Sequence, residues 1–132
     1  MIDTSVWVDL ERSSLQPTDI ALIFPDEEFA VAALTLSELL LGASYANTVE
    51  RRQRREAFAD RVIGNINVIS FDVRVARQYA STLFRLGSTG QVIDVHDLQL
   101  AATALAHGLT VLTKDLRDFT RVPGLDVQVF GI

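Results

Sequence analysis

Asp3, Glu38, Asp97 and Asp115 each stand where a short apolar run gives way to a helix-like pattern. In an open parallel sheet the chain leaves every strand at the same edge, so side chains just past the strand ends converge on one crevice. Four carboxylates gathered there would raise one another's pKa values and cost stability unless a cation offset their charge. The donors are hard oxygens, and the chain has no cysteine and only two histidines. That set suits Mg²⁺, with Mn²⁺ as the alternative, rather than zinc.

Each acid also has a purely structural reading. An Asp at a helix start caps free backbone N–H groups and suits the positive end of the dipole. Glu38 completes Thr35-Leu36-Ser37-Glu38, a capping-box pattern ahead of Leu39-Leu40-Leu41. Asp94 with Asp97, and Asp115 with Asp118, repeat a cap-plus-third-position spacing, and Asp94 takes the capping role. Ser or Thr caps about as well as Asp, so capping alone does not explain an acid at each of the four exits.

The elements that must position these groups alternate along the chain. Met1-Ile2-Asp3 is short and apolar, and a helix with a polar start follows over 4–11. Pro17 opens a brief helical stretch through Ile23, which Pro25 and three acids close. Strand-like runs cover 29–34, 66–71, 109–113 and 126–130. Helical patterns begin near Glu38, cover 49–63 up to Gly64 and Asn65, run from the Asp72 cap to about Leu86, and start again at Asp97 before Gly108. Asp115 to Asp118 forms a helical turn. Such alternation is the mark of an α/β fold, a three-layer α/β/α arrangement around a mainly parallel sheet.

At 132 residues the chain fits one domain spanning 1–132. No apolar run reaches membrane-spanning length, and no secretory signal opens the chain, so a cytoplasmic protein is expected. The absence of cysteine removes disulfides and Cys-ligated clusters. A net charge of -5 argues against a nucleic-acid partner at first sight. The distribution reverses that reading, because Arg51, Arg52, Arg54 and Arg55 crowd into about one helical turn.

Four segments in order carry a family likeness: Ile2-Asp3-Thr4-Ser5-Val6-Trp7-Val8, Leu36-Ser37-Glu38-Leu39, Asp97-Leu98-Gln99-Leu100-Ala101-Ala102-Thr103-Ala104, and Val111-Leu112-Thr113-Lys114-Asp115-Leu116-Arg117-Asp118-Phe119. Together they resemble the PIN-domain ribonucleases, in particular VapC toxins of type II toxin–antitoxin systems. The resemblance implies a Mg²⁺-dependent endoribonuclease that leaves 5′-phosphate and 3′-hydroxyl ends. It implies Asp3, Glu38, Asp97 and Asp115 as catalytic acids, with Asp3, Asp97 and Asp115 on the metal. Asp118 is an additional candidate, and Ser5 would hydrogen-bond a metal ligand. The implied partners are RNA, a small VapB-like antitoxin that covers the acidic crevice, and a second copy in a homodimer. Only two residues precede Asp3, a shorter first strand than is usual in the family.

Lys114 and Arg117 flank the proposed metal site and are candidate substrate-phosphate contacts. His96 reads as a surface or second-layer residue, His107 as an imidazolium at a helix C-terminus, and Trp7 as core, a subunit contact or a base-stacking ring. The Arg51 to Arg55 cluster reads as a solvated face, with RNA backbone contact as the alternative. A non-catalytic, receiver-like metal-binding or nucleic-acid-binding module is the competing class. It wants paired acids after the first strand, where Thr4 and Ser5 stand, and a central acceptor for which only Asp72 is available. A haloacid-type phosphatase lacks its second acid for the same reason, since Ser5 occupies that position.

Overall fold

The computed structural model describes residues 1–131. Its helices and strands run in the order α1 (Thr4–Arg12), α2 (Ile20–Ile23), β1 (Ala30–Ala32), α3 (Ala33–Ser44), α4 (Val49–Asn65), β2 (Asn67–Ile69), α5 (Val73–Ser88), α6 (Val95–Ala106), β3 (Val111–Thr113) and β4 (Val127–Val129). β1 pairs with β2 and β3 with β4, both parallel. The extended Met1–Asp3 segment joins the two pairs. Ile2 N–H donates to Ala30 O at 3.0 Å, Asp3 N–H to Leu112 O at 2.9 Å, and Leu112 N–H to Met1 O at 2.8 Å. The spatial order is therefore β2, β1, the first three residues, β3, β4, so that a segment too short to form a strand of its own becomes the centre of the sheet.

Alternation along the strands divides the core into two layers. Ile2, Val31 and Leu112 face a layer built from Trp7 and Leu10 of α1, Leu36 and Leu39 of α3, and Phe58 and Val62 of α4. Met1, Ala32 and Val111 face the other side, where Leu100, Ala101 and Ala104 of α6 cover them. The alanines on α6 let its backbone approach closely, and α5 packs behind it through Val75 against Ala102 and Ala106. In α1, Val6, Trp7 and Leu10 fall on one stripe at helical spacing and are buried. Trp7 is fully buried, edge-on to Phe58 at 6.5 Å, which removes it from base stacking and places it in the core.

The turn out of α6 sets where β3 begins. Leu109 N–H returns to Ala104 O at 2.9 Å and Gly108 N–H to Leu105 O at 3.3 Å, while Gly108 adopts φ +63°. This is the double bond of a Schellman motif, which needs a residue tolerant of positive φ at that position.

Four expectations need correction. α3 begins at Ala33, with Ala32 as a cap that makes no side-chain bond, so Thr35 to Glu38 is not a capping box. The buried strand β1 hands over directly to the helix, and Glu38 lies in its second turn. No strand precedes Asp97: Val92 is 82% exposed, and α6 follows α5 with no sheet residue between them. Residues 115–116 are irregular and 117–118 form a turn, and the helical turn follows as a short 3-10 segment at Phe119–Arg121. α4 continues through Gly64 to Asn65, because Gly64 keeps helical backbone rather than the positive φ of a stop signal. Among the described residues no helix is long and apolar enough to cross a membrane.

Candidate active site

Asp3 ends the central segment and caps α1, so its carboxylate is fixed from both ends of the chain. Oδ1 accepts the Thr4 N–H at 2.8 Å, and Oδ2 accepts the Ser5 and Thr113 hydroxyls, each at 2.8 Å. Those hydroxyls are themselves held: Ser5 Oγ accepts the Lys114 N–H at 3.2 Å and Thr113 Oγ1 the Asp115 N–H at 3.1 Å. The helix start and the β3 exit are thus stitched together around one carboxylate. Glu38 joins through Thr4, whose hydroxyl donates to Oε1 at 3.0 Å, while Oε2 lies 3.6 Å from His96 Nδ1.

Asp97 enters from α6. Asp94 caps that helix, its Oδ2 accepting from His96 N–H at 3.0 Å and from Asp97 N–H at 3.4 Å, as its spacing implied. The Asp97 carboxyl is partly buried and its pKa is pushed up from 3.8 to about 7. Burial is the largest cause, followed by a side-chain hydrogen bond to Asp118 and the charges of Asp3, Asp94 and Asp118. Carboxylates crowded in this way disfavour one another's charge, which is the condition a cation would relieve.

Burial separates the acids. Asp3, Glu38, Asp97 and Asp118 are half-buried, whereas Asp94 and Asp115 are exposed. The Asp115 side chain is 65% exposed and turns back on its own loop, with Oδ1 accepting the Arg117 N–H at 3.0 Å and Oδ2 lying 3.7 Å from the Arg117 guanidinium. Asp118 stands against Asp97 in its stead. It is also paired with the Arg121 guanidinium, which donates to Val92 O at 3.2 Å and Arg117 O at 3.3 Å. Lys114 Nζ is taken by Asp9 at 2.8 Å, so both cations expected to hold substrate already have carboxylate partners. His107 is half-buried at the end of α6, and its Nε2 has no hydrogen-bond partner among the described residues.

Sequence reasoning missed Thr4, Thr113 and Arg121. The two threonines left a signal, a hydroxyl beside an acid at a strand exit; Arg121 left none, because its partners are 3, 4 and 29 residues away. Among the described residues no three acidic or imidazole groups already surround a common ion position. The donor set still fits a divalent cation: it is all oxygen and half-buried, and burial and the neighbouring carboxylates together push the Asp97 pKa up. The receiver-like alternative finds no acceptor, since Asp72 caps α5 through Val75 N–H at 3.0 Å, beyond the edge strand β2.

A model of the PIN domain matches residues 1–125. The chain belongs to the PIN domain family. Two relatives of this PIN domain are Ribonuclease VapC1 of Rickettsia felis, 30% identical over 96% of this chain and 92% of that one, and Ribonuclease VapC5 of Mycobacterium tuberculosis, 34% identical over 94% and 87%. Among solved structures, a member of the VapBC family of toxin-antitoxin systems, VapBC-5 from Mycobacterium tuberculosis, superposes with a TM-score of 0.74 at 30% identity, covering 99% of this chain and 96% of that one. PIN-domain nucleases generally depend on a divalent metal ion. The fold expectation of an α/β domain with parallel strands holds.

Proposed function

We propose that this PIN domain is a Mg²⁺-dependent endoribonuclease acting as the toxin of a toxin–antitoxin pair, with Mn²⁺ as a substitute ion. The observation that carries the site is the convergence of half-buried carboxylates: Asp3 pinned by Ser5 and Thr113, Glu38 tied in through Thr4, and Asp97 close to Asp3 and Asp118. Asp3, Asp97 and Asp118 would hold the ion, with Asp115 at the rim. When bound, such an ion supplies a water of lowered pKa and a Lewis acid for the phosphoryl oxygens.

The remaining chemistry belongs to the chain. Asp97 would meet the ion from the first turn of α6. Ser5 and Thr113 hold Oδ2 of Asp3, fixing which lone pairs face the crevice. Glu38 keeps Oε1 on Thr4 and has Oε2 3.6 Å from His96 Nδ1, which leaves Oε2 as the oxygen to accept the proton of an attacking water. The Ser5 hydroxyl is committed to Asp3, so the route is attack by water without a covalent enzyme intermediate.

Relatives named as VapC ribonucleases over nearly the whole chain, and a neighbour solved as a VapBC toxin-antitoxin member, support the toxin role and a small VapB-like antitoxin as partner. An antitoxin arginine laid across Asp3, Asp97 and Asp118 would neutralise them in place of metal. A homodimer is part of the same reading.

The test is to incubate the purified protein with a mixed RNA pool in Mg²⁺, in Mn²⁺ or in chelator, and to map the cut ends. Metal-dependent cuts with 5′-phosphate and 3′-hydroxyl ends are expected. Cleavage that survives chelation would remove the metal from the mechanism.

A further inference from the structure

An acidic crevice repels the polyanion it is meant to cut, and the chain as a whole carries a net charge of -5. The cations beside the crevice do not correct this, since Lys114, Arg117 and Arg121 are paired with Asp9, Asp115 and Asp118. Unpaired positive charge lies elsewhere. A pocket of about 440 Å³ between the end of α1 and α4 is lined by Arg12, Arg51, Arg54, Arg55 and Arg61, with Phe58 among the lining residues. Residues 51, 54, 55, 58 and 61 of α4 recur at helical spacing and so form one face. Among the described residues none of these five arginines is in an ion pair, and Glu11 is the one acid lining the pocket.

The pocket is also partly preorganised. Arg55 Nη1 is fastened to Gly42 O at 3.0 Å, Arg51 Nη1 to Asn47 Oδ1 at 2.9 Å, and the Arg61 guanidinium lies over the Phe58 ring at 6.0 Å. Arg12 and Arg54 are exposed and make no hydrogen bond among the described residues, which leaves their forks free for a ligand. Guanidinium forks match phosphate oxygens. The apolar lining is small: Phe58 is only 2% exposed and Leu15 is half-buried, so guanidinium groups rather than an apolar anchor dominate what a ligand meets.

We propose that this arginine-lined pocket holds the phosphate backbone of the RNA substrate at a distance from the acidic crevice, an inference that rests on the endoribonuclease reading above. Asp3 caps one end of α1 and Arg12 closes the other. Nine residues of helix span about 13 Å, the length of about four stacked nucleotides at ~3.4 Å each. A strand cut at the crevice therefore reaches the pocket with phosphates a few nucleotides away.

The test measures binding of a fluorescein-labelled single-stranded RNA of mixed sequence, in chelator, by anisotropy across a salt series. The wild type is compared with the double variant Arg12→Gln/Arg54→Gln and with Arg74→Gln/Arg77→Gln, which makes the same charge change on exposed positions of α5. Loss of two phosphate contacts should lower the slope of log K against log salt by about 1.4, which is about a twenty-five-fold loss of affinity near 0.1 M salt. In cleavage assays with Mg²⁺ the pocket variant should show a raised KM with kcat retained, and the α5 variant should match the wild type. Wild-type affinity and slope in the pocket variant, with cleavage intact, would overturn the pocket while leaving the nuclease. Equal losses in both variants would overturn it in favour of bulk charge. Wild type that neither binds nor cuts RNA would remove both readings.

Discussion

Thr113 and Asp3 lie 110 residues apart in sequence and touch at 2.8 Å, hydroxyl to carboxylate, at the exit of the two most central strand segments. Through this contact the last third of the chain fixes the first acid of the site. Hydrogen bonds to a charged acceptor in a partly buried setting contribute about 1.5 to 3 kcal/mol. Thr113→Val should therefore lower unfolding free energy by about 2 kcal/mol in urea titrations and reduce RNA cleavage further than the stability loss explains. Thr113→Ser, which keeps the hydroxyl, should recover most of both.

Asp97 makes the metal-free protein pH-sensitive in a defined direction. Its folded pKa of about 7 lies above the ordinary 3.8, so the folded state binds the proton more tightly than the unfolded chain between those values. Stability from this group is full below about pH 4, falls as pH rises through 7, and stays low above. Asp97→Asn should raise the melting temperature in chelator at pH 8 but not at pH 4. Because the carboxyl is only partly buried, solvent screening reduces the effect to about 1 kcal/mol. Equal shifts at both pH values would contradict the assignment.

Asp118 and Asp115 should separate in calorimetric titrations with Mn²⁺. Asp118→Asn removes a group that touches Asp97 and should weaken binding by about a hundredfold, in the range seen when a ligand's immediate environment is broken. Asp115→Asn alters an exposed side chain occupied by Arg117 and should change affinity by less than about threefold. Reversal of that order would restore Asp115 to the metal.

Arg121 holds Asp118 while fastening Val92 O and Arg117 O, so one guanidinium ties the approach to α6 to the loop after β3. A lysine ammonium is a single point donor and does not span these groups. Arg121→Lys and Arg121→Ala should both slow cleavage, by about tenfold, with faster amide exchange at residues 92–97. Unchanged exchange there would show that the tether is dispensable.

Much of the fold was legible because its signals are local. The stripe of Val6, Trp7 and Leu10, the Asp72 and Asp94 caps and the apolar run before Thr113 each depend on neighbours within a turn or a short strand. The Thr35 to Glu38 motif failed because a buried strand turned into a helix before the polar signal was reached. The expected strand exit at Asp97 failed because the short apolar run before it pairs with nothing, and pairing depends on distant elements that no local pattern records.

The sequence by itself determined which groups could serve, an oxygen-only set of acids at the ends of apolar runs, and the alternation that makes the sheet parallel. It did so because periodicity, capping and donor chemistry are properties of neighbouring residues. Only the tertiary structure decided that Asp118 rather than Asp115 meets Asp97, that Lys114 is spent on Asp9, and that α1 and α4 bring five arginines to one pocket. Those outcomes depend on which loop a side chain turns toward, and packing between distant elements sets that direction.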